Sequence, residues 1–300
     1  MGRINLIYWD KNNFGDALNP LLIEEFSVVG AVQHKDIELS LKKRLSIFAK
    51  SILLFRYKDL GKLIFPWQHT LVAIGSTIHW GNKRSSIWGA GYMNHFNRFK
   101  GGRVYAVRGK LTDRKLQEEG FRPCGVYGDP ALLLPLWIAP QSTAKKYRLG
   151  IVPHWTEVDE FKSLYGHCCK IIDSRTKDIY KIVHAICECD YILSTSLHGL
   201  IVAHAYKVPA LWIKKGDIET DGFKFWDYFS SVDIPRYDGF TNIQELLDNE
   251  RNWLALFERH TDKAFIQNNL AKIQADLLRA APFPIKEKYL KKEEKMGQVL

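Results

Sequence analysis

The sequence holds no run of the roughly 18 apolar residues that a membrane-crossing helix requires, which excludes a spanning segment. Its first residues, MGRINLIYWDKNN, lack the apolar stretch and small-residue cleavage site of a secretory leader. That absence predicts a cytoplasmic chain. Cysteine is scarce and odd in number: Cys124, Cys168, Cys169, Cys187 and Cys189. Without a leader, that count argues for reduced thiols. Neither Cys187-x-Cys189 nor the adjacent Cys168 and Cys169 has the spacing of a zinc site. No complete dinucleotide fingerprint and no P-loop occurs.

What is present is a globular composition with surplus positive charge. Apolar residues make up 46% and charged residues 25% of 300 residues, enough for a sizeable core and unlike a disordered chain. Lys plus Arg is 43 against 33 Asp plus Glu, a net charge of +10, so the surface draws anions. In residues 42–62, Lys42, Lys43, Arg44, Lys50, Arg56, Lys58 and Lys62 stand against Asp59 alone. Leu45, Ile47, Phe48, Ile52, Leu53, Leu54 and Phe55 are interleaved with them. This reads as a basic amphipathic segment suited to an anionic membrane surface, or as a surface helix packing its apolar side on the core. A second basic run, Lys286, Lys288, Lys291, Lys292 and Lys295, is diluted by Glu287, Glu293 and Glu294 and reads as a solvated, frayed tail. Neither run has the features of a nucleic-acid reader, so no nucleic-acid partner is expected.

Short β-branched and aromatic runs flanked by Gly, Asp or Pro predict strands at 4–9, 70–74, 86–88, 104–107, 125–127, 148–152, 170–172, 191–194 and 210–213. Helices are expected at 20–29, 110–119, 177–187 and 199–206. This alternation predicts an α/β fold with parallel sheets. The polar, proline-bearing stretch 136–147 reads as a linker. The expectation is two Rossmann-like domains, 1–140 and 141–250, with a cleft between them. A helical extension, 251–300, follows, because Ile266, Leu270, Ile273 and Leu277 recur at helical spacing and predict one or two long helices in 252–280.

Four strand ends carry unusual residues, and ligands of open parallel sheets bind beyond the carboxyl ends of strands. After the first strand comes Asn13-Phe14-Gly15-Asp16, then Asn19-Pro20. Asn19 suits a helix cap and Pro20 a first turn, leaving Asp16 before the cap as either a loop brace or a functional carboxylate. Gly75-Ser76-Thr77 and Gly89-Ala90-Gly91 are small-residue turns that present N–H groups to an anion. Arg108 ends a strand, where it can grip a carboxylate or phosphate or form a structural salt bridge. The run Ser194-Thr195-Ser196-Leu197-His198-Gly199 leads an apolar strand into an apolar helix, a ready anion site with a histidine in its first turn. His204 reads as a core histidine, and Asp129 before Pro130 as a helix cap. Lys214, Lys215 and Lys224 follow the last strand, and the sequence does not choose which reaches the cleft.

In this order the motifs resemble the polysaccharide pyruvyl transferase family. The matching pieces are Asn13-Phe14-Gly15-Asp16, the glycine turns at Gly75 and Gly89–Gly91, Val107-Arg108-Gly109, Gly128-Asp129-Pro130 and Ser196-Leu197-His198-Gly199, over about residues 4–225. One departure is Gly75-Ser76-Thr77, where the family often has two or three glycines. The resemblance implies a fold like the GT-B glycosyltransferases. It also implies transfer of a pyruvyl group from phosphoenolpyruvate to a sugar of a bacterial surface polysaccharide or its lipid-linked precursor, closing a ketal. The family's donor site carries over to Arg108, Leu197 and His198.

The residues suit that chemistry, since the donor is anionic and needs a cationic site. The expected catalytic set is His198, Arg108 and Asp16. Ser194, Ser196, Leu197 and Gly199 join Arg108 and His198 around phosphoenolpyruvate, and Asn13, Gly15, Asp16, Gly75 and Ser76 face the acceptor. The scheme calls for no metal and no cofactor. Two rivals remain: a nucleotide-sugar glycosyltransferase of GT-B type, and a non-catalytic membrane-associated scaffold for polysaccharide assembly.

Overall fold

The computed structural model describes residues 2–55, 57–140, 144–216 and 220–291. Among them, β1 (Ile4–Ile7), β2 (Val32–Lys35), β3 (Thr70–Val72), β4 (Ser85–Trp88) and β5 (Arg103–Ala106) form one parallel sheet in the order β2-β1-β3-β4-β5. The strands β6 (Tyr147–Val152), β7 (Lys170–Ile171), β8 (Cys189–Ser194) and β9 (Ala210–Trp212) form a second parallel sheet in the order β7-β6-β8-β9. The α/β character with parallel sheets therefore stands. The helices are α1 (Phe14–Phe26), α2 (Leu41–Leu53), α3 (Lys110–Glu118), α4 (Leu134–Trp137), α5 (Val158–Tyr165), α6 (Ile179–Cys187), α7 (Leu197–Ala205), α8 (Phe223–Ser231), α9 (Ile243–Leu247), α10 (Glu250–Arg259), α11 (Thr261–Ala264) and α12 (Leu270–Arg279).

The inner strands β3 and β8 carry apolar residues on both faces because both faces are covered. Neighbouring residues point oppositely: Leu6 enters the central core and Ile7 an outer one, and Ile192 and Leu193 divide the same way. The central core is continuous across both sheets. It joins Leu6, Leu71 and Trp88 of the first to Val152, Ile192 and Trp212 of the second.

Several elements depart from the sequence expectation. The predicted strand 125–127 is a single bridge between Tyr127 and Val107. Strand β2, VQHK, was not anticipated, since an edge strand with half-buried Gln33 and His34 carries no apolar run. The expected helix 20–29 begins at Phe14 instead. The stretch 252–280 breaks into α10, α11 and α12. Asn269, whose side chain accepts from Lys272 N at 3.1 Å, caps a fresh start for α12.

The C-terminal segment returns to the first sheet. The Trp88 indole donates to Leu277 O at 2.9 Å, and Gln274 donates to Leu132 O at 2.7 Å. The tail is packed where described: Tyr289 stacks on Phe26 at 4.1 Å, and Lys288 and the Tyr289 hydroxyl both reach Glu25 at 2.5 Å. Lys292, Glu293, Glu294 and Lys295 lie outside the described residues, as does Arg56. Among the described residues no helix is long and apolar enough to cross a membrane.

Both sheets reverse their strand order at one place, between β1 and β3 and between β6 and β8. Such switch points open a crevice beyond the carboxyl ends of the strands. The loop after β1 meets the loop after the edge strand β7. Asn12 Nδ2 donates to Arg175 O at 2.9 Å, Phe14 N donates to Ser174 O at 2.8 Å, and Lys177 pairs with Asp10 at 2.6 Å.

Candidate active site

Asn13 caps α1, its side chain accepting from Gly15 N at 2.9 Å. Asn19 is therefore not the cap. It is buried inside α1, where its amide donates to Ile74 O and accepts from Ile74 N, clamping the turn after β3. Pro20 also lies inside α1, where it has no N–H to offer the carbonyl of Asp16. Asp16 consequently falls in the first turn rather than before the cap. Burial, with Asp10 adding, pushes its carboxyl up to about 7.

The second switch point is built by Ser194 and Gly199. The wholly buried Ser194 hydroxyl bonds Val152 O at 2.8 Å and accepts from Ser196 N at 3.0 Å, locking the entry to α7. A side chain on Gly199 would strike Ser194 Oγ and Val152. These two shape the turn. Ser196 stands at the N-cap of α7 and makes no side-chain capping bond there.

His198 follows in the first turn of α7, and the backbone of Gly15 lies against its ring, leaving no room for a side chain on Gly15. The two switch points thus meet at one imidazole. Its Nε2 is 3.8 Å from Asp129 Oδ2, and among the described residues neither of these buried atoms has a hydrogen-bond partner. Burial, then Arg108 and Lys224, hold the His198 pKa down to about 3. Asp129 does cap, as the sequence suggested, its Oδ1 accepting from Ala131 N at 2.9 Å. Its second oxygen is what faces His198. Burial raises the Asp129 carboxyl to about 6, against the lowering pull of the Ala131 N–H, Arg108 and the Gly75 N–H.

Arg108 is wholly buried. Its Nε donates to Asp227 at 2.9 Å, Nη1 to Ser76 Oγ at 2.6 Å and Nη2 to Tyr92 O at 2.6 Å. Asp227 also accepts from Thr112 N and Thr112 Oγ1, each at 2.7 Å. Of the two readings the sequence offered, the structure shows the structural salt bridge: Arg108 is held by Asp227, Ser76 and Tyr92 and is closed to solvent, and its charge still acts on His198. Of the three candidate lysines, Lys224 is the one whose charge acts on His198. Lys215 is paired with Glu160.

His154, beyond the end of β6, was not singled out from the sequence. Its backbone N–H donates to Thr195 Oγ1 at 2.6 Å, and burial, then Lys224, lowers the imidazole pKa to about 4. Thr195 in turn donates to Glu157. His154 stands at a strand end, so the rule that flagged His198 also reaches it. Asp227 lies inside α8 and carries no such signal. Trp9 and Trp155, from the loops after β1 and β6, are 5.7 Å apart. A cavity of about 400 Å³ lined by Phe240, Asn242, Leu256 and Arg259 lies elsewhere, away from these residues.

The N-terminus of α7, the buried Arg108 and His198 all lie within the stretch that matches a known family. The model described as polysaccharide pyruvyl transferase covers residues 13–214. The chain belongs to that family. Among its relatives is the uncharacterized protein L143 of Acanthamoeba polyphaga mimivirus, 29% identical over 59% of this chain and 64% of that protein. Another is the succinoglycan biosynthesis protein ExoV of Rhizobium meliloti, 24% identical over 82% of this chain and 72% of that protein. The chain thus spans less than two thirds of the length of the mimivirus relative. The polysaccharide pyruvyl transferase match begins at the α1 cap and ends at Lys214, so Lys224 and Asp227 lie beyond it.

Proposed function

We infer that this protein transfers a pyruvyl group from phosphoenolpyruvate to two hydroxyls of a sugar, closing a ketal and releasing phosphate. The observation that carries the reading is the unsatisfied His198–Asp129 pair at the N-terminus of α7, backed by Arg108 and Lys224, in a member of this family. The donor is a polyanion. The helix terminus and Ser196 suit its phosphate, and Lys224 with the buried Arg108 adds positive potential.

In the free site His198 is neutral, and Asp129 orients its Nε2. The donor's negative charge offsets Arg108 and Lys224, which lifts the imidazole pKa and lets it carry a proton. A proton added to C3 makes C2 electrophilic, and a sugar oxygen bonds to C2 as its own proton leaves. A second sugar oxygen then attacks C2, the C2–O bond to phosphate breaks, and the ketal closes. Asp16, with a pKa of about 7, exchanges the hydroxyl protons near neutrality. Asn13, Gly15 and Gly75 shape the acceptor side, with Trp9 and Trp155 as a rim for stacking a sugar ring.

The succinoglycan assignment in ExoV's name supports a bacterial polysaccharide, free or lipid-linked, as the acceptor class. On this reading the two sheets take a GT-B-like arrangement around the cleft. Thermal melting decides between donors. Phosphoenolpyruvate at about a hundred times its Kd stabilises the fold by ~2.7 kcal/mol, and UDP-, GDP- and CMP-sugars do not. Stabilisation by a nucleotide sugar alone would assign the cleft to a glycosyltransferase.

A further inference from the structure

We propose that α2 docks this protein on an anionic lipid surface. At about 3.6 residues per turn, Leu41, Leu45, Phe48 and Ile52 fall on one stripe of α2. None of them is packed: they are 73%, 61%, 48% and 55% exposed, and Leu53, Leu54 and Phe55 continue the exposed apolar surface. The only fully buried residue of the helix is Ser51. The reading in which this helix packs its apolar side on the core is therefore set aside.

Charge identifies what covers the stripe. From residue 39 to residue 58 the chain has no acidic residue, while Lys42, Lys43, Arg44 and Lys50 lie on α2 itself. On the helical wheel Lys42 and Arg44 flank the stripe on opposite sides, the layout of a helix that lies in a headgroup layer with its basic stems reaching outward. A second copy of this chain is a poor cover, since a two-fold contact through α2 would set these cations against themselves. An anionic bilayer takes both the apolar stripe and the charge.

The placement has a consequence for the cleft. Glu38, two residues before the Ser40 cap of α2, accepts from the Trp9 indole at 2.8 Å. Trp9, Asp10, His34 and Glu38 line a shallow cavity of about 130 Å³ beside the first switch point. A protein lying on α2 holds that opening close to the lipid surface.

The test is co-sedimentation of the full chain with vesicles of phosphatidylcholine alone and of equimolar phosphatidylcholine and phosphatidylglycerol. Binding is expected to the mixed vesicles only and to be released by salt. Leu45→Ser/Phe48→Ser abolishes it, and Lys42→Ala/Lys43→Ala weakens it by about fivefold per lysine. Because these side chains are exposed, melting temperature and its response to phosphoenolpyruvate stay at wild-type values in both variants. Absence of a donor response in the wild type would count against the pyruvyl-transfer reading and leave the docking result standing. Absence of binding to mixed vesicles, or unchanged binding in both variants, overturns the proposal. A concentration-dependent dimer that Leu45→Ser/Phe48→Ser dissociates overturns it as well and gives the face to a second copy.

Discussion

Helix α7 carries two histidines six residues apart, and they live under opposite conditions. His204 is 2% exposed, with Nδ1 bonded to the Tyr228 hydroxyl and Nε2 to Ala210 O, each at 3.0 Å. His198 has its Nε2 sealed from solvent, with no hydrogen bond and a carboxylate oxygen at 3.8 Å. Burial holds both below the ordinary histidine range, to about 4 and about 3, and Arg108 and Lys224 add to it at His198. One imidazole is a finished piece of core. The other is half of a pair that the fold alone leaves open. Unsatisfied buried groups cost roughly 1–3 kcal/mol each, and proteins keep them where function requires it.

The largest expected difference between the two is in turnover. His198→Ala lowers kcat for pyruvyl transfer by about 10²–10⁴, the scale of a lost general acid, and leaves urea stability unchanged or raised. His204→Ala does the reverse. It strands the Tyr228 hydroxyl and Ala210 O and destabilises by roughly 1–3 kcal/mol, while the folded fraction keeps its kcat. Equal effects of the two variants on kcat would erase the distinction.

The cation behind His198 is next. Arg108→Met leaves Asp227 buried and uncompensated, a loss of roughly 3–5 kcal/mol in chemical denaturation. The double variant Arg108→Met/Asp227→Asn recovers part of it. A single variant as stable as wild type would show that Asp227 does not depend on the arginine.

Acid acts on both histidines in the same direction, and His204, with both ring nitrogens bonded, gives the cleaner reading. His204 is neutral in the fold down to about pH 4 but titrates near 6.5 when unfolded, so its contribution is full above 6.5 and lost as pH falls to 4. Two and a half pH units correspond to about 3 kcal/mol. The stability gap between wild type and His204→Gln should close by that amount over this range, and a constant gap would contradict the burial account. The smallest effect belongs to Asp129, the carboxylate that faces His198. Asp129→Asn removes the negative charge 3.8 Å from Nε2 and lowers kcat by about tenfold, or ~1.4 kcal/mol, with KM unchanged. A change in KM alone would make Asp129 a binding group.

The contrast within α7 was legible in the sequence, because Ser196-Leu197-His198-Gly199 opens the helix at a strand end and His204 falls well inside it. The strand ends were legible too, since parallel strands leave short apolar runs bounded by Gly, Asp or Pro. What escaped was anything set by a distant partner. Asn13 and Asn19 are equally good caps by type. Only the clamp on Ile74 shows that Asn19 is taken. Asp227 is an ordinary acidic residue within a helix until Arg108 arrives from 119 positions away. Asp129 was read correctly as a cap, and no sequence rule says where its second oxygen points.

The most direct measurement is an NMR titration of imidazole-labelled protein with phosphoenolpyruvate, with His198→Asn and His204→Gln assigning two of the ten histidine signals. The account predicts that the His198 signal shifts with saturable donor binding and moves toward the protonated position, while the His204 signal stays in place. A donor that binds without moving His198, or that moves His204 as far, would contradict it.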